Sequence, residues 1–326
     1  MLKYRRLLSR NFNLFLGRFG MSVYTVVNQA ELEAFLADFD QGSLVAFEGI
    51  SAGIENTNYF VDTTAGRFVL TIFEHHDFDE LPYFLDIMAF MAEHQIPTAH
   101  PKPTLKGSYL KELKGKPAAL VERLTGSGVD HPTQTQCEVM AENLAKFHLA
   151  GQDYDQFRAN DRDLHWMKNT FQEIKRFLPE DETALIESEI HYQNNIDWSQ
   201  LPNSVIHADL FCDNALFNGD ELSGIIDLYY ACNSAMLYDL AVMVNDWCRL
   251  PDFSLSTEKV HAVLKAYQAV RTLTEQEQQS WKAALRMGAL RFFLSRLKDK
   301  HMPREGEMTQ IKDPNVFKNL LISHRK

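Results

Sequence analysis

A change of periodicity near residue 128 limits what this chain can fold into. Between Val45 and Phe73 the apolar residues fall in short β-type runs, and NYFVD and RFVLTIF flank Thr63-Thr64-Ala65-Gly66, which reads as a hairpin turn. A second strand pair is expected near 108–110 and 117–124, turning at Lys114-Gly115-Lys116. Between the two pairs, Leu81, Phe84, Leu85, Met88 and Met91 stand at helical spacing over 79–94. After TGSGVDHP (125–132) helical spacing takes over, with VMAENLAKFHL inside a helix at 136–150 and others near 163–178, 181–196, 238–249, 257–271 and 275–300. The pattern predicts a bilobal α+β fold. A small antiparallel β-rich lobe (21–124) precedes a larger α-helical lobe (125–326), joined near Glu122 to Gly128, with a ligand cleft between them.

Composition narrows the function classes. A formal charge of −11 disfavours nucleic acid and acidic membranes as partners. No apolar run approaches the ~18 to 20 residues of a membrane-spanning helix. Cys137, Cys212, Cys232 and Cys248 form no CxxC pair, which points to free thiols in a reducing cytoplasm. Cys212 reads as a small apolar filler. The first twenty residues carry Lys3, Arg5, Arg6, Arg10 and Arg18 and no acid. A targeting segment, a membrane-surface helix and an upstream extension ahead of Met21 compete there, and the extension is favoured because MSVYT followed by the helix NQAELEAFLADF looks like an ordinary start.

The chemistry concentrates in VIHADLFCDN (205–214). His207, Asp209 and Asn214 have the spacing H-x-D-x-x-x-x-N of a kinase catalytic loop, in which the aspartate takes the hydroxyl proton and the asparagine ligates magnesium. Asn218-Gly219 then signals a hairpin that would bring Asp227, at the end of the apolar run GII, beside Asn214. An amide oxygen and a carboxylate converging there suit Mg²⁺. His207 reads as a structural residue orienting the loop, since no third ligand completes an HxD zinc site. Asp213 reads as solvated or loop-capping, and Asp239 as the N-cap of the helix DLAVMVNDW. His148 reads as a packed core histidine, and EHHDFDE (74–80) as a solvated loop entering a helix.

IHADLFCDNALF, GIIDLYYAC and LYDLAVMVNDWC together resemble the aminoglycoside phosphotransferase and choline kinase superfamily of protein-kinase-like enzymes. ENTNYFV, FVLTIFE, ELPYFLDIMAFMAEHQIP, ENLAKFH, RFFLSRL and the late KDP look like its homoserine kinase branch, over essentially Met21 to the C-terminus. The resemblance implies a protein-kinase-like fold and ATP-dependent phosphorylation of the side-chain hydroxyl of L-homoserine on the route to threonine. It makes Asp209 the catalytic base and Asn214 and Asp227 the Mg²⁺ ligands. The loop from Ser51 to Asn58, with Gly53 and Asn56, would cover the ATP phosphates, and the backbone of Glu122 and Leu124 would meet adenine.

One departure stands out. Kinases of this architecture commonly carry a lysine or arginine on the third strand, and this chain has Thr71. Arg67 lies four residues away, ~13 Å along a strand, so Lys102, Lys106 or the magnesium ion is expected to carry that charge.

A free amino acid also needs a clamp for its carboxylate, for which a guanidinium is suited. Arg291 and Arg296, five apart in LRFFLSRL, and Arg249, after the aromatic-rich NDWC, are the candidates, Arg291 first, and Asp246 and Tyr229 would meet the ammonium and shape the pocket. Rival acceptors are choline, an aminoglycoside or another small alcohol; a nucleotide-binding pseudokinase is the rival of a different class.

Overall fold

The computed structural model describes residues 25–50, 56–303 and 312–326. The basic segment 1–20 and the loop residues Ser51 and Gly53 lie outside the described residues.

A five-stranded antiparallel sheet forms the first half, from β1 (Leu44–Ile50), β2 (Asn56–Thr63), β3 (Arg67–Phe73), β4 (Leu110–Leu113) and β5 (Lys116–Glu122), in the order β1-β2-β3-β5-β4. The β2–β3 turn falls at Thr64 to Gly66, as its polar and glycine residues predict. Alternation along the strands assigns two faces. Tyr59, Val61, Phe68, Leu70 and Ile72 pack against Leu32, Phe35 and Leu36 of α1 (Gln29–Leu36), which a capping box between Asn28 and Glu31 starts. The opposite face contributes Phe73, Ala119 and Val121 to a second, larger core. The helix α2 (Leu81–Glu93) joins this core through the residues its periodicity marks, with Ile87 added.

The second half is mainly helical: α3 (Gln134–Gly151), α4 (Leu164–Ile174), α5 (Glu180–Gln193), α6 (Met236–Trp247), α7 (Thr257–Val270), α8 (Glu275–His301) and α9 (Asn315–Arg325). The helix expected over 163–178 ends sooner, its last turn tightening into 3₁₀ geometry at Lys175–Phe177. Two short antiparallel pairs interrupt the helices: β6 (Asn203–Ile206) with β9 (Cys232–Ala235), and β7 (Ala215–Asn218) with β8 (Glu221–Ile225). Among the described residues no helix is long and apolar enough to cross a membrane.

The helix α6 corrects one expectation. Strand β9 runs directly into it, so it begins at Met236 with Ala235 in the cap position, and Asp239 is not its N-cap. Eleven of its twelve residues are buried, Asp239 included. A helix buried all round belongs to the core, and a carboxylate there needs partners.

Candidate active site

Asp239 finds those partners in the loop that follows β6. Its carboxylate accepts the backbone N–H groups of His207 and Ala208, both at 2.8 Å, and the His148 Nε2–H at 3.0 Å. Burial alone would raise the Asp239 pKa, but these hydrogen bonds and the neighbouring histidines outweigh it and hold the carboxyl below its ordinary range. Burial holds His148 below the usual histidine value, so it stays neutral, with Nδ1 facing the Tyr267 hydroxyl at 2.7 Å. Both predictions of a structural role, for His148 and for Asp239, therefore meet at one buried anchor.

The anchor fixes the loop in an unusual path. Ala208 adopts φ 64°, a left-handed conformation disfavoured for a residue with a Cβ. His207 accepts the Asp209 N–H on Nδ1 at 3.3 Å, which makes Nε2 the protonated nitrogen; it meets the Ile226 carbonyl at 2.9 Å. His207 is thus a strut between the loop and the segment that carries Asp227. From α6, the Trp247 Nε1–H donates to the Leu210 carbonyl at 3.0 Å and Asp246 accepts the Cys212 N–H at 2.9 Å. Cys212 is buried, and burial raises its thiol pKa, in keeping with a filler role.

The hairpin forms where Asn218-Gly219 predicts it, with Asn218 paired to Glu221 and the turn falling one residue later, at Gly219 and Asp220. Strands β7 and β8 pair Ala215 with Ile225, and the Ile226 N–H donates to the Asn214 carbonyl at 3.0 Å. Asn214 and Asp227 are thereby held across one end of the hairpin, and Asp227 takes φ 65°. The Asn214 amide nitrogen donates to the Asp209 carbonyl at 2.8 Å and to its carboxylate at 3.3 Å, which leaves the amide oxygen to act as a ligand. An amide oxygen and a carboxylate are hard donors that fit Mg²⁺, the remaining positions falling to water and phosphate. Among the described residues no group of three or more His, Cys, Asp or Glu could hold a metal.

Beside Asp209 opens a cavity of about 400 Å³, walled by His75, His76, Arg158, Arg162, Tyr229, Tyr230 and Arg291 among others. Two sequence candidates, Arg291 and Tyr229, line it. Arg291 is 4% exposed, with one terminal nitrogen 3.7 Å from the Asp209 carboxylate. Tyr229 sets its ring edge-on against Phe73 and Phe84. The other acceptor candidates point elsewhere: Asp246 holds the back of the catalytic loop, and Arg296 donates to the Asp313 carbonyl at 2.8 Å with its guanidinium over Phe317.

The EHHDFDE segment is the largely exposed loop entering α2 that its sequence suggests, and it also contributes to the site. His76 packs near Phe73, Phe84 and Tyr229, and both histidines line the cavity from the short link between β3 and α2. Arg158 and Arg162 were missed altogether. Their signal was present in RANDRD (158–163), two arginines four apart bracketing Asn160 and Asp161 ahead of a helix.

On the roof of the cleft, Thr71 stands across from Asn58 on β2 and Ala119 on β5. Its hydroxyl donates to the Asn58 side-chain oxygen at 2.8 Å and also hydrogen-bonds the Tyr229 hydroxyl. A neutral polar bridge therefore occupies the position where a strand cation was sought. Lys102 pairs with Glu122 at 3.4 Å, Arg67 with Asp62 at 3.3 Å, and Lys106 lies near Asp38. At the end of β5 the Glu122 N–H is donated to the His100 carbonyl at 3.0 Å, and Leu124 lies against Gly224, where a Cβ would come within 2.4 Å of it. Asn56 opens β2 opposite Phe73, its side-chain oxygen 3.4 Å from the Glu74 N–H.

Residues 46–273 match the phosphotransferase enzyme family. Homoserine kinase from Methylobacillus flagellatus is 44% identical over 92% of this chain and 94% of its own length. Homoserine kinase from Neisseria meningitidis serogroup B is 43% identical over 93% and 99%. The same fold recurs in the amicoumacin kinase solved with AMP-PNP, Ca²⁺ and amicoumacin, at TM-score 0.69 and 12% identity over 92% of each chain. The chain belongs to the phosphotransferase enzyme family and, with these relatives, to its homoserine kinase branch.

Proposed function

We propose that this chain transfers the γ-phosphoryl group of ATP to the side-chain hydroxyl of L-homoserine, giving O-phospho-L-homoserine and ADP. The observation that carries the reading is an arginine-walled cavity opening directly beside Asp209, in a chain similar over its whole catalytic length to homoserine kinases. Asp209 orients the acceptor hydroxyl and receives its proton as the oxygen–phosphorus bond forms and the bond from the γ-phosphorus to the β,γ-bridging oxygen breaks. Phosphoryl transfer needs alignment and charge neutralisation more than covalent help. The anchored loop supplies the alignment.

Asn214 and Asp227 would hold Mg²⁺, which neutralises phosphate charge when bound. Residues 21–124 form the nucleotide lobe in this reading. The segment Ser51 to Asn58 covers the phosphates, Thr71 lies on the roof, and the Glu122–Leu124 connection meets adenine, with the Leu124 end the more available because the Glu122 N–H is engaged. Residues 125–326 carry the catalytic loop and the acceptor pocket. Four buried free cysteines suit an enzyme of the reducing cytoplasm.

A coupled ADP-release assay with ATP and magnesium, comparing L-homoserine, L-serine, choline and kanamycin, tests the proposal. Turnover is expected on homoserine, and Asp209→Asn should lower kcat by about 10²- to 10⁴-fold while leaving ATP binding in place. Turnover confined to another acceptor would replace the substrate, and near-normal kcat in the variant would remove Asp209 from its role.

A further inference from the structure

The segment between α3 and α4 is built as a rigid wall. Ala159 bridges to Asn233 of β9, the Arg158 N–H donates to the Asn233 side chain at 2.9 Å, and the Arg162 N–H donates to Asn160 at 2.8 Å. Two arginines of this wall differ in how their charge is met. Arg158 has carboxylates close by, Asp161 at 2.7 Å and Glu80 at 3.8 Å. Among the described residues Arg162 meets ring faces, Trp166 at 4.9 Å and Tyr230 at 5.9 Å, and no carboxylate. Arg291 approaches the same Tyr230 ring at 5.4 Å, and its buried Nε has no hydrogen-bond partner.

Two guanidiniums thus flank one tyrosine in the cavity wall. Among the described residues the first has no carboxylate partner, and the second meets the Asp209 carboxylate alone, at 3.7 Å. The buried guanidinium of Arg291 and the half-buried one of Arg162 call for an anionic acceptor, and a planar fork of N–H groups matches the two oxygens of a carboxylate. Asp161 and Glu80, beside Arg158, also line the cavity and present the opposite charge.

From this we infer that Arg162, together with Arg291, grips the α-carboxylate of the acceptor amino acid. Arg162 is the residue that makes the enzyme select an amino acid over a simple amino alcohol. The acidic pair, Asp161 and Glu80, faces the ammonium. The inference rests on the homoserine reading and deepens it. Arg162 is the cleaner probe, because Arg291 also touches Asp209.

The test pairs Arg162→Met with two acceptors, L-homoserine and 3-aminopropan-1-ol, which keeps the amine, the chain and the hydroxyl but lacks the carboxylate. Wild-type enzyme should prefer homoserine strongly. The variant should lose about 10- to 150-fold in kcat/KM on homoserine, the worth of one or two charge-assisted hydrogen bonds. Most of that loss should appear in KM, with turnover of 3-aminopropan-1-ol and the KM for ATP nearly unchanged. Equal losses on both acceptors would overturn the assignment, pointing to an effect on phosphate or on folding. An unaltered variant that still prefers homoserine would overturn the clamp alone. Wild-type enzyme that takes 3-aminopropan-1-ol as well as homoserine would overturn the clamp and leave the substrate reading in place, whereas no turnover of homoserine at all would overturn both.

Discussion

At the scale of single residues, Asp239 shows what a short motif conveys and what it omits. The spacing of His207, Asp209 and Asn214 is local, so it is readable along the chain, and the short hairpin brings Asp227 within reach of the same reading. Asp239 and His148 act on that loop from 30 or more residues away, and only the packing of α3 and α6 beneath β6 brings them there. An aspartate ahead of an apolar run looks like a cap, and nothing in the run reveals that β9 has already started the helix. Arg158 and Arg162 escaped for a related reason: they lie on a segment whose edge pairing with β9 is invisible in sequence. Asp239→Asn tests the anchor. An amide offers one oxygen and turns an NH₂ toward backbone donors, and losing a buried hydrogen bond to a charged group typically removes about 1.5–3 kcal/mol. Denaturant unfolding should show a loss of that size. The folded fraction should have a depressed kcat with a nearly normal KM for ATP, because the displaced group is the catalytic loop. A variant with full stability and full kcat would show that the anchor is dispensable.

At the scale of elements, helices spanning several turns were readable because an apolar stripe repeats often enough to reveal its period, as in α2, α3 and α8. Strands β6 and β9 have four residues each and pair across more than twenty others, so no local pattern marks them. The helix α9 is different: Phe317, Leu320 and Leu321 stand at i, i+3 and i+4 and are buried, a signal present in the sequence yet carried by only eleven residues. Its position gives it a functional bearing. The Phe317 ring lies 5.8 Å from Phe211 of the catalytic loop and 5.1 Å from Phe292 of α8, while Lys312 pairs with Asp213 at 3.1 Å. The C-terminal helix is thus a floor under the loop that carries Asp209. Phe317→Ala removes a fully buried ring, which typically destabilises by about 3–5 kcal/mol. Thermal melting should register that loss. Assayed well below the new midpoint, the variant should also show lowered turnover, since Phe211 loses the surface it packs on. Normal turnover at full folding would mean that Asp209 is held without this floor.

At the scale of the whole molecule, two histidines are fully buried around the catalytic anchor, His148 and His207, and a third, His324 on α9, is half-buried, its Nε2 meeting the Asn245 side-chain oxygen at 2.8 Å. Burial lowers all three, His324 to about 4. The unfolded chain takes up these protons near pH 6.5 and the folded chain resists them, so between pH 6.5 and the folded values the unfolded state binds more protons. Stability therefore falls as pH drops through this window, by up to ~1.4 kcal/mol per pH unit for each histidine. The Asp239 carboxyl, also held low, adds its loss further into acid. A net charge of −11 acts in the opposite sense, since protonating surface carboxylates relieves self-repulsion. A wild-type pH profile mixes the two effects, but a variant separates them. His324→Gln keeps a donor toward Asn245 and removes one titrating group. Urea unfolding at pH 7.5, 6.5, 5.5 and 4.5 should give a shallower decline for the variant, the two curves converging or crossing toward acid, with a difference in slope of up to one proton. Parallel curves would mean that His324 ionises in the folded protein as readily as in the unfolded chain. The packing of α9 against Asn245 would then be looser than its burial indicates.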